Sequence, residues 1–194
     1  MIYLASSSPR RAELLRQIDA KFETLNIRID ESRQAAETAE QYVCRIAKAK
    51  AQAGSDQVRK SASDVAVLAA DTIIALDGDI IGKPDNGSHC YHMLERLSGR
   101  EHQVLTAIAV NYQARIHCQL STSRVIFRDL EAAEIEAYCA SGEPMDKAGG
   151  YAIQGRAAVF IKHLEGSYSS VMGLPIFETA EMLKQVGVKI GNLN

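Results

Sequence analysis

The 194-residue chain is 46% apolar and 24% charged, holds no tryptophan and carries a net charge of −2. It is long enough for one sizeable core or two lobes sharing one, and its charge balance excludes a general nucleic-acid or membrane-surface binder. No apolar run approaches the ~20 residues of a membrane helix, and no basic segment followed by an apolar core marks a secretory signal. Cys44, Cys90, Cys118 and Cys139 are scattered with no CxxC pair, which argues against zinc and against a disulfide framework. The cysteines are expected to be reduced and mostly buried, and the chain cytoplasmic.

The apolar run Ile2–Ala5 stops at Ser6-Ser7-Ser8, and Pro9 then opens a helical pattern over Arg11–Ile18. Proline suits the first helical position, where its missing N–H would be unpaired anyway. The free N–H groups of that helix start, the serine hydroxyls and the guanidiniums of Arg10 and Arg11 project into one small volume. Such a volume suits a multiply charged anion such as phosphate; a capped helix with two solvated arginines is the alternative.

Lys21–Ile29 reads as a second extended segment, ending at Asp30-Glu31-Ser32. Thr38 with Gln41 forms a capping box for a helix to Ala53. The apolar stripe of that helix, Val43, Ile46 and Ala47, meets Lys50 one heptad past Val43. A lysine continuing a buried face is unusual, and snorkelling to water is its ordinary explanation.

Gly54–Ser63 reads as polar linker. Val65–Ala70 is a continuous apolar run of strand length, the best candidate for a central buried strand. It delivers Asp71 at its C-terminal end, where open α/β sheets place functional groups. Ile73–Leu76, Asp77-Gly78 and Ile80-Ile81 predict a tight hairpin closed by Gly82-Lys83-Pro84. Asn86 or Ser88 caps a helix to Leu97, which Ser98-Gly99 ends. Val104–Val110 and Arg115–Phe127 read as long strands around a turn near Asn111. Asp129 starts a helix that stops at Gly142, and Glu143–Gly155 is a glycine-rich loop. Ala157–Leu164 returns to strand, and Gly173-Leu174-Pro175 leads into a last helix over Ile176–Val186. This order predicts a mixed-sheet α/β fold rather than a simple doubly wound one.

Three lookalikes fall away. Gly78–Lys83 is too short between its glycines for a P-loop, and Pro84 stands where a magnesium-binding hydroxyl is needed. His89 and His92 can share a helix face, but no carboxylate or cysteine completes a zinc set, so they read as a surface pair. Asn86-Gly87-Ser88 is formally a glycosylation site, irrelevant without secretion. What remains is a scattered set with one theme. Arg10, Arg11, Lys50, Lys83 and Lys147 suit a polyphosphate, while Glu31 and Asp71 suit a divalent metal or the activation of a water.

Leu4-Ala5-Ser6-Ser7-Ser8-Pro9-Arg10-Arg11 resembles the opening signature of the Maf family of nucleoside triphosphate pyrophosphatases. The resemblance continues, in order, through Arg45-Ile46-Ala47-Lys48-Ala49-Lys50-Ala51, Ala70-Asp71-Thr72 and Gly82-Lys83-Pro84. It extends to Asp146-Lys147-Ala148-Gly149-Gly150-Tyr151-Ala152-Ile153-Gln154-Gly155 and Gly173-Leu174-Pro175, and so covers nearly the whole chain.

The resemblance implies an elongated α/β fold with a cleft between two lobes, related to the inosine triphosphatase architecture. It implies one domain over 1–194, and metal-dependent hydrolysis (Mg2+ or Mn2+) of a nucleoside triphosphate to the monophosphate and pyrophosphate. It also leans towards a homodimer. Arg10, Thr72 and Gln154 resemble the branch acting on dTTP and UTP. The branch acting on 7-methyl-GTP has a bulky aromatic before its arginine pair and Asp-Gln where this chain has Asp71-Thr72.

On this reading Ser6, Arg10 and Arg11 bind the substrate, with Thr72 and Gln154 near the base. Lys50 and Lys83 neutralise developing charge, Asp71 is the proton acceptor, and Glu31 joins Asp71 on the metal. A carboxylate beside a metal is a poor base, so water on the metal remains the variant. Two rivals are a nucleotide-binding regulator of septum formation or cell division with little turnover, and a non-enzymatic interaction module. Neither gives Lys50 and Asp71 a purpose together, and pyrophosphate release separates all three.

Overall fold

The central apolar run becomes the middle of the sheet. A computed structural model describes residues 1–59 and 65–191. Its strands are β1 (Ile2–Leu4), β2 (Phe22–Thr24), β3 (Val67–Leu76), β4 (Asp79–Ile81), β5 (Glu101–Tyr112), β6 (Arg115–Phe127) and β7 (Ile161–Glu165). Its helices are α1 (Pro9–Gln17), α2 (Ala39–Val58), α3 (Gly87–Leu97), α4 (Ala132–Ala140), α5 (Tyr168–Val171) and α6 (Ile176–Gln185). The strands form one seven-stranded mixed sheet in the order β2-β1-β3-β5-β6-β7, with β4 also on β3. β1 runs parallel to β2 and β3, and every other pairing is antiparallel. The chain thus has the mixed α/β class that its pattern predicts.

The two faces of β3 follow from its period of two. Ala69, Ile73 and Ala75, with Leu105 and Ala107 of β5, pack under Val43, Ala47 and Ala51 of α2. On the opposite face there are two clusters. Leu68, Ala70 and Ile108 pack with Leu14 and Leu15 of α1 and Leu183 of α6. Ile74, Leu76 and Val104 pack with Leu94 of α3, Ile135 of α4 and Phe127. Thr72 and Thr106 face each other across β3 and β5 between these clusters, so a polar seam divides that face into two lobes.

β3 is also open along part of one edge. β1 pairs only Val67 and Leu68, and β4 pairs only Ile74–Leu76. Among the described residues no strand lies beside Ala69–Ile73 on that side, and Asp71 is its midpoint. This gap is where the cleft enters the sheet.

Several boundaries differ from the expected ones. Asp71 lies in mid-strand rather than at a strand end, because β5 pairs β3 without a break from Val67 to Ala75. Gly54 does not end α2, which runs to Val58; a Cβ there would lie 2.8 Å from Val67 Cγ1, so the glycine lets the helix approach the sheet. The rest of the expected linker, up to Ser63, lies in part outside the described residues. The extended segment over Lys21–Ile29 is strand only at Phe22–Thr24, because β1 offers three residues to pair with. The β5–β6 turn falls at Gln113 and Ala114, which take the positive φ of a tight hairpin without glycine. α4 starts at Ala132, after a reciprocal cap between Glu131 and Glu134. Ala157–Phe160 is 3₁₀ rather than strand, and α5 had no signal in the pattern.

The cysteines are a correction too. Cys90 and Cys139 form a disulfide between α3 and α4, with Cα atoms 6.0 Å apart, so the two helices stacked in one cluster bring together residues that spacing left unrelated. Cys44 and Cys118 are free thiols and only half-buried. No helix among the described residues is long and apolar enough to cross a membrane. His89 and His92 lie on the surface, beside Asp85 and Glu95.

Candidate active site

A cavity of about 800 Å³ opens at the gap in β3. Its wall takes Ser6, Arg10 and Arg11 from the β1–α1 turn, Glu31 from the loop before α2, and Lys50 from α2. Asp71 and Thr72 come from β3, Lys83 from the segment after β4, and Lys147 and Gln154 from the glycine-rich loop. Every site residue expected from the sequence therefore lines one space.

At its floor Lys50 Nζ stands 2.8 Å from Asp71 Oδ1 and 2.9 Å from Glu31 Oε1. The ammonium does not snorkel: the Lys50 and Asp71 side chains are 14% and 11% exposed. The stripe that appeared to end in a stray charge in fact points a cation at a buried carboxylate, which makes both tolerable there. Lys50→Ala leaves two carboxylates facing each other without a cation. Catalytic efficiency should fall on the order of tenfold or more. A variant altered only in melting temperature would make Lys50 a purely structural neutraliser.

The same geometry tests a metal. Two carboxylate oxygens already converge on one cation, and a magnesium-type site needs only one or two carboxylates beside substrate phosphates. Asp71 and Glu31 therefore fit a divalent ion that shares them with Lys50. Among the described residues there is no cluster of three or more ligating side chains, so water and substrate phosphate oxygens would complete its shell.

The β1–α1 turn is built to leave donors free. Ser8 is the N-cap of α1 but makes no side-chain cap, Pro9 follows, and no acid lies in the first turn. Ser6 Oγ accepts instead from Ser8 N and from Arg11 Nη1, both at 3.2 Å. Arg11 also donates from Nε to Gly173 O at 2.8 Å and from Nη2 to Thr72 Oγ1 at 3.2 Å. Of its five N–H groups, three are spoken for, and each terminal nitrogen keeps one spare. Burial lowers the Arg11 pKa, countered by the charges of Asp71 and Glu31, and the guanidinium stays cationic.

Lys83 reaches the cavity because Gly149 N donates to Gly82 O at 2.7 Å, stitching the glycine-rich loop to the hairpin end. Gly149 takes φ 69°, where an L side chain is strained, and a Cβ there would also meet the Ile74 side chain, so glycine is favoured. Tyr151 anchors the loop from behind, its hydroxyl 2.7 Å from Nε2 of buried His102, whose imidazole is pushed down to about 4 by burial. Lys147 is drawn sideways, donating to Glu143 O and to Asp146 Oδ1. Arg10 and Gln154 line the cavity from its rim.

Sequence reasoning missed the supports of Glu31. Tyr42, also on the cavity wall, donates its hydroxyl to Glu31 O at 2.9 Å. Arg45 binds Ser32 O and grips Glu37 at 2.6 and 2.9 Å. The only signal was Arg45 inside the lysine-rich motif. The Arg45 hydrogen bond pulls the Glu37 carboxyl down to about 2 from 4.5. A depressed folded-state value stabilises fully above the unfolded pKa and is lost as pH falls through the folded one. Wild-type stability should therefore drop between pH 4.5 and about 2, and Glu37→Gln should flatten part of that drop. Identical acid melts for the two proteins would exclude the pair as its source.

Comparison with known proteins covers nearly the whole chain. A family profile described as Maf-like protein matches residues 1–186. A protein of Methylobacillus flagellatus named dTTP/UTP pyrophosphatase is 52% identical, over 97% of this chain and 94% of its own. One of the same name from Methylococcus capsulatus is 50% identical over 99% and 94%. Another, from Pectobacterium atrosepticum, is 49% identical over 93% and 90%. The breadth of the match, from the β1–α1 turn to the last helix, means that the chain belongs to the Maf family.

Proposed function

We propose that this protein hydrolyses dTTP and UTP to the nucleoside monophosphate and pyrophosphate. The observation that carries the reading is the convergence of Arg11, Lys50, Asp71 and Lys83 from four separate segments on one cavity. The names and near-full coverage of the relatives support the reaction and its substrates. The triphosphate lies along the β1–α1 turn, with the spare Arg11 donors and the free helix N–H groups on its oxygens. Asp71 takes a proton from a water as its oxygen attacks the α-phosphorus. The bond from that phosphorus to the bridging oxygen breaks, and pyrophosphate leaves with the electron pair. Lys50 and Lys83 face the charge that builds there.

A divalent cation held by Asp71 and Glu31 would supply further neutralisation of the phosphates. The whole chain, 1–194, acts as one catalytic unit on the cytoplasmic nucleotide pool. A homodimer is supported by the edge of β6, where no further strand lies beside Arg115–Ser123 among the described residues. Sedimentation checks that state.

Thr72 and Gln154 favour the uracil and thymine edge, Gln154 offering both a donor and an acceptor. Arg10 can donate a fork either to a base carbonyl or to a phosphate. Sites that hydrogen-bond a substrate reject partners that leave buried groups unpaired. The test is pyrophosphate release across a nucleotide panel with magnesium or manganese. dTTP and UTP should lead ATP, GTP and 7-methyl-GTP in kcat/KM, and Gln154→Ala should erode that lead more than phosphate binding. A preference for 7-methyl-GTP would overturn the assignment of these positions, and no release from any nucleotide would overturn the reaction.

A further inference from the structure

We infer that Thr106, which does not touch the cavity, is a positioning residue for the anion clamp. It takes the hydroxyl proton of Thr72 and so keeps Thr72 Oγ1 as an acceptor for Arg11. This rests on the reading of Arg11 as a triphosphate ligand.

The direction of the chain of hydrogen bonds follows from its two ends. Thr106 Oγ1 lies 2.8 Å from Ser170 O, and a carbonyl can only accept, so the single Thr106 proton goes there. Thr72 Oγ1 lies 3.0 Å from Thr106 Oγ1, and since the Thr106 proton is committed, Thr72 must donate in that contact. The Thr72 oxygen is left with lone pairs only, and Arg11 Nη2, which can only donate, points at it from 3.2 Å. The order is therefore Arg11 to Thr72 to Thr106 to the Ser170 carbonyl, with every proton assigned.

Its surroundings support a purpose beyond packing. Thr106 and Ser170 are both 0% exposed, and the hydroxyls sit in the seam between the two apolar lobes, where valine would pack as well. The chain holds one arm of the Arg11 guanidinium, while Ser6 holds the other and Gly173 the Nε–H. Fixing three N–H groups decides which two remain for phosphate, and where they point. If the Thr72 hydroxyl were free to turn, it could present its proton to Arg11 instead, and that arm of the fork would be pushed from its place.

Three measurements test this. The first is the affinity of the intact protein for inorganic tripolyphosphate, by calorimetry, which needs neither a base nor turnover. Thr106→Val should bind it about tenfold more weakly, the scale of one misdirected hydrogen bond near a charge. Thr106→Ser should restore affinity, since it returns the hydroxyl. The second is the same substitution in a Thr72→Val background, where the chain is already cut and Thr106→Val should add little. The third is the melting temperature of each variant, because valine removes a buried hydrogen bond to the Ser170 carbonyl, which keeps the Gly173 N–H as a donor at 2.8 Å, and that loss also weakens the fold. A Thr106→Val protein that melts lower but binds tripolyphosphate like wild type would overturn the proposal, as would full additivity of the two valine substitutions. Wild-type protein that binds no tripolyphosphate overturns the clamp and this proposal with it. Binding that weakens as described, in a protein that releases no pyrophosphate from any nucleotide, supports the positioning role and rejects the enzymatic reading instead.

Discussion

Asp71→Asn should reduce turnover by a factor on the order of 10² or more while leaving the fold intact. The substitution keeps the shape of the side chain in a strand whose neighbours are packed on both faces. It removes the only carboxylate on the open stretch of the β3 edge. Asparagine cannot accept a proton at neutral pH, so the attacking water loses its base. It also changes the charge balance, because the Lys50 ammonium, 2.8 Å away, keeps only Glu31 as a counter-charge. The buried cation is then less well compensated, and a modest fall in melting temperature is expected alongside the kinetic loss. The two effects separate in the data. A loss confined to kcat, with tripolyphosphate affinity kept or improved, is the signature of a missing base. Near-native turnover would remove Asp71 from the chemistry and move attention to water held by other groups.

Much of this arrangement was legible because local signals agreed with the global fold. Thr38 and Gln41 form the reciprocal cap that their spacing promised, and Asp77-Gly78 makes the hairpin. Asn86 caps α3 with its side chain. The set of charged residues was legible too, though only as a list, since spacing says nothing about which distant segments meet. What turns the list into a cavity is the gap beside Ala69–Ile73, and that gap is a matter of how short β1 and β4 are. No periodicity reports the length of a neighbour's pairing.

The same limit explains the misplacement of Asp71. Read alone, an acid after six apolar residues looks like the end of a strand, yet nine register partners on β5 carry the strand past it. Gly54 misled for a related reason, since its role is an approach to Val67 across the fold rather than a break in the chain. Thr106 carried no signal at all. In the sequence it is one β-branched residue in a long strand, and only the position of the Ser170 carbonyl gives its hydroxyl a direction.

Arg11→Ala should cost about 2–4 kcal/mol of transition-state stabilisation, a fall in kcat/KM of roughly 30- to 1000-fold. Lys83→Ala should fall in the same range, since it too removes a charge facing the leaving pyrophosphate. The two differ in what else they disturb. Lys83 is exposed, so its loss should leave the melting temperature near wild type. Arg11 is a strap as well as a ligand. It ties Ser6, Thr72 and the Gly173 carbonyl together, and alanine leaves that carbonyl without its donor. A drop in activity alone therefore does not decide its role. Arg11→Lys does, because lysine keeps the charge but cannot hold the strap and offer two parallel N–H groups at once. If the fork binds phosphate, the lysine variant should recover stability only in part and stay well below wild type in kcat/KM. Full activity in Arg11→Lys would mean that charge alone suffices. An Arg11→Ala protein that melts early yet keeps native kcat/KM below its melting point would reduce the arginine to a strap across the cleft.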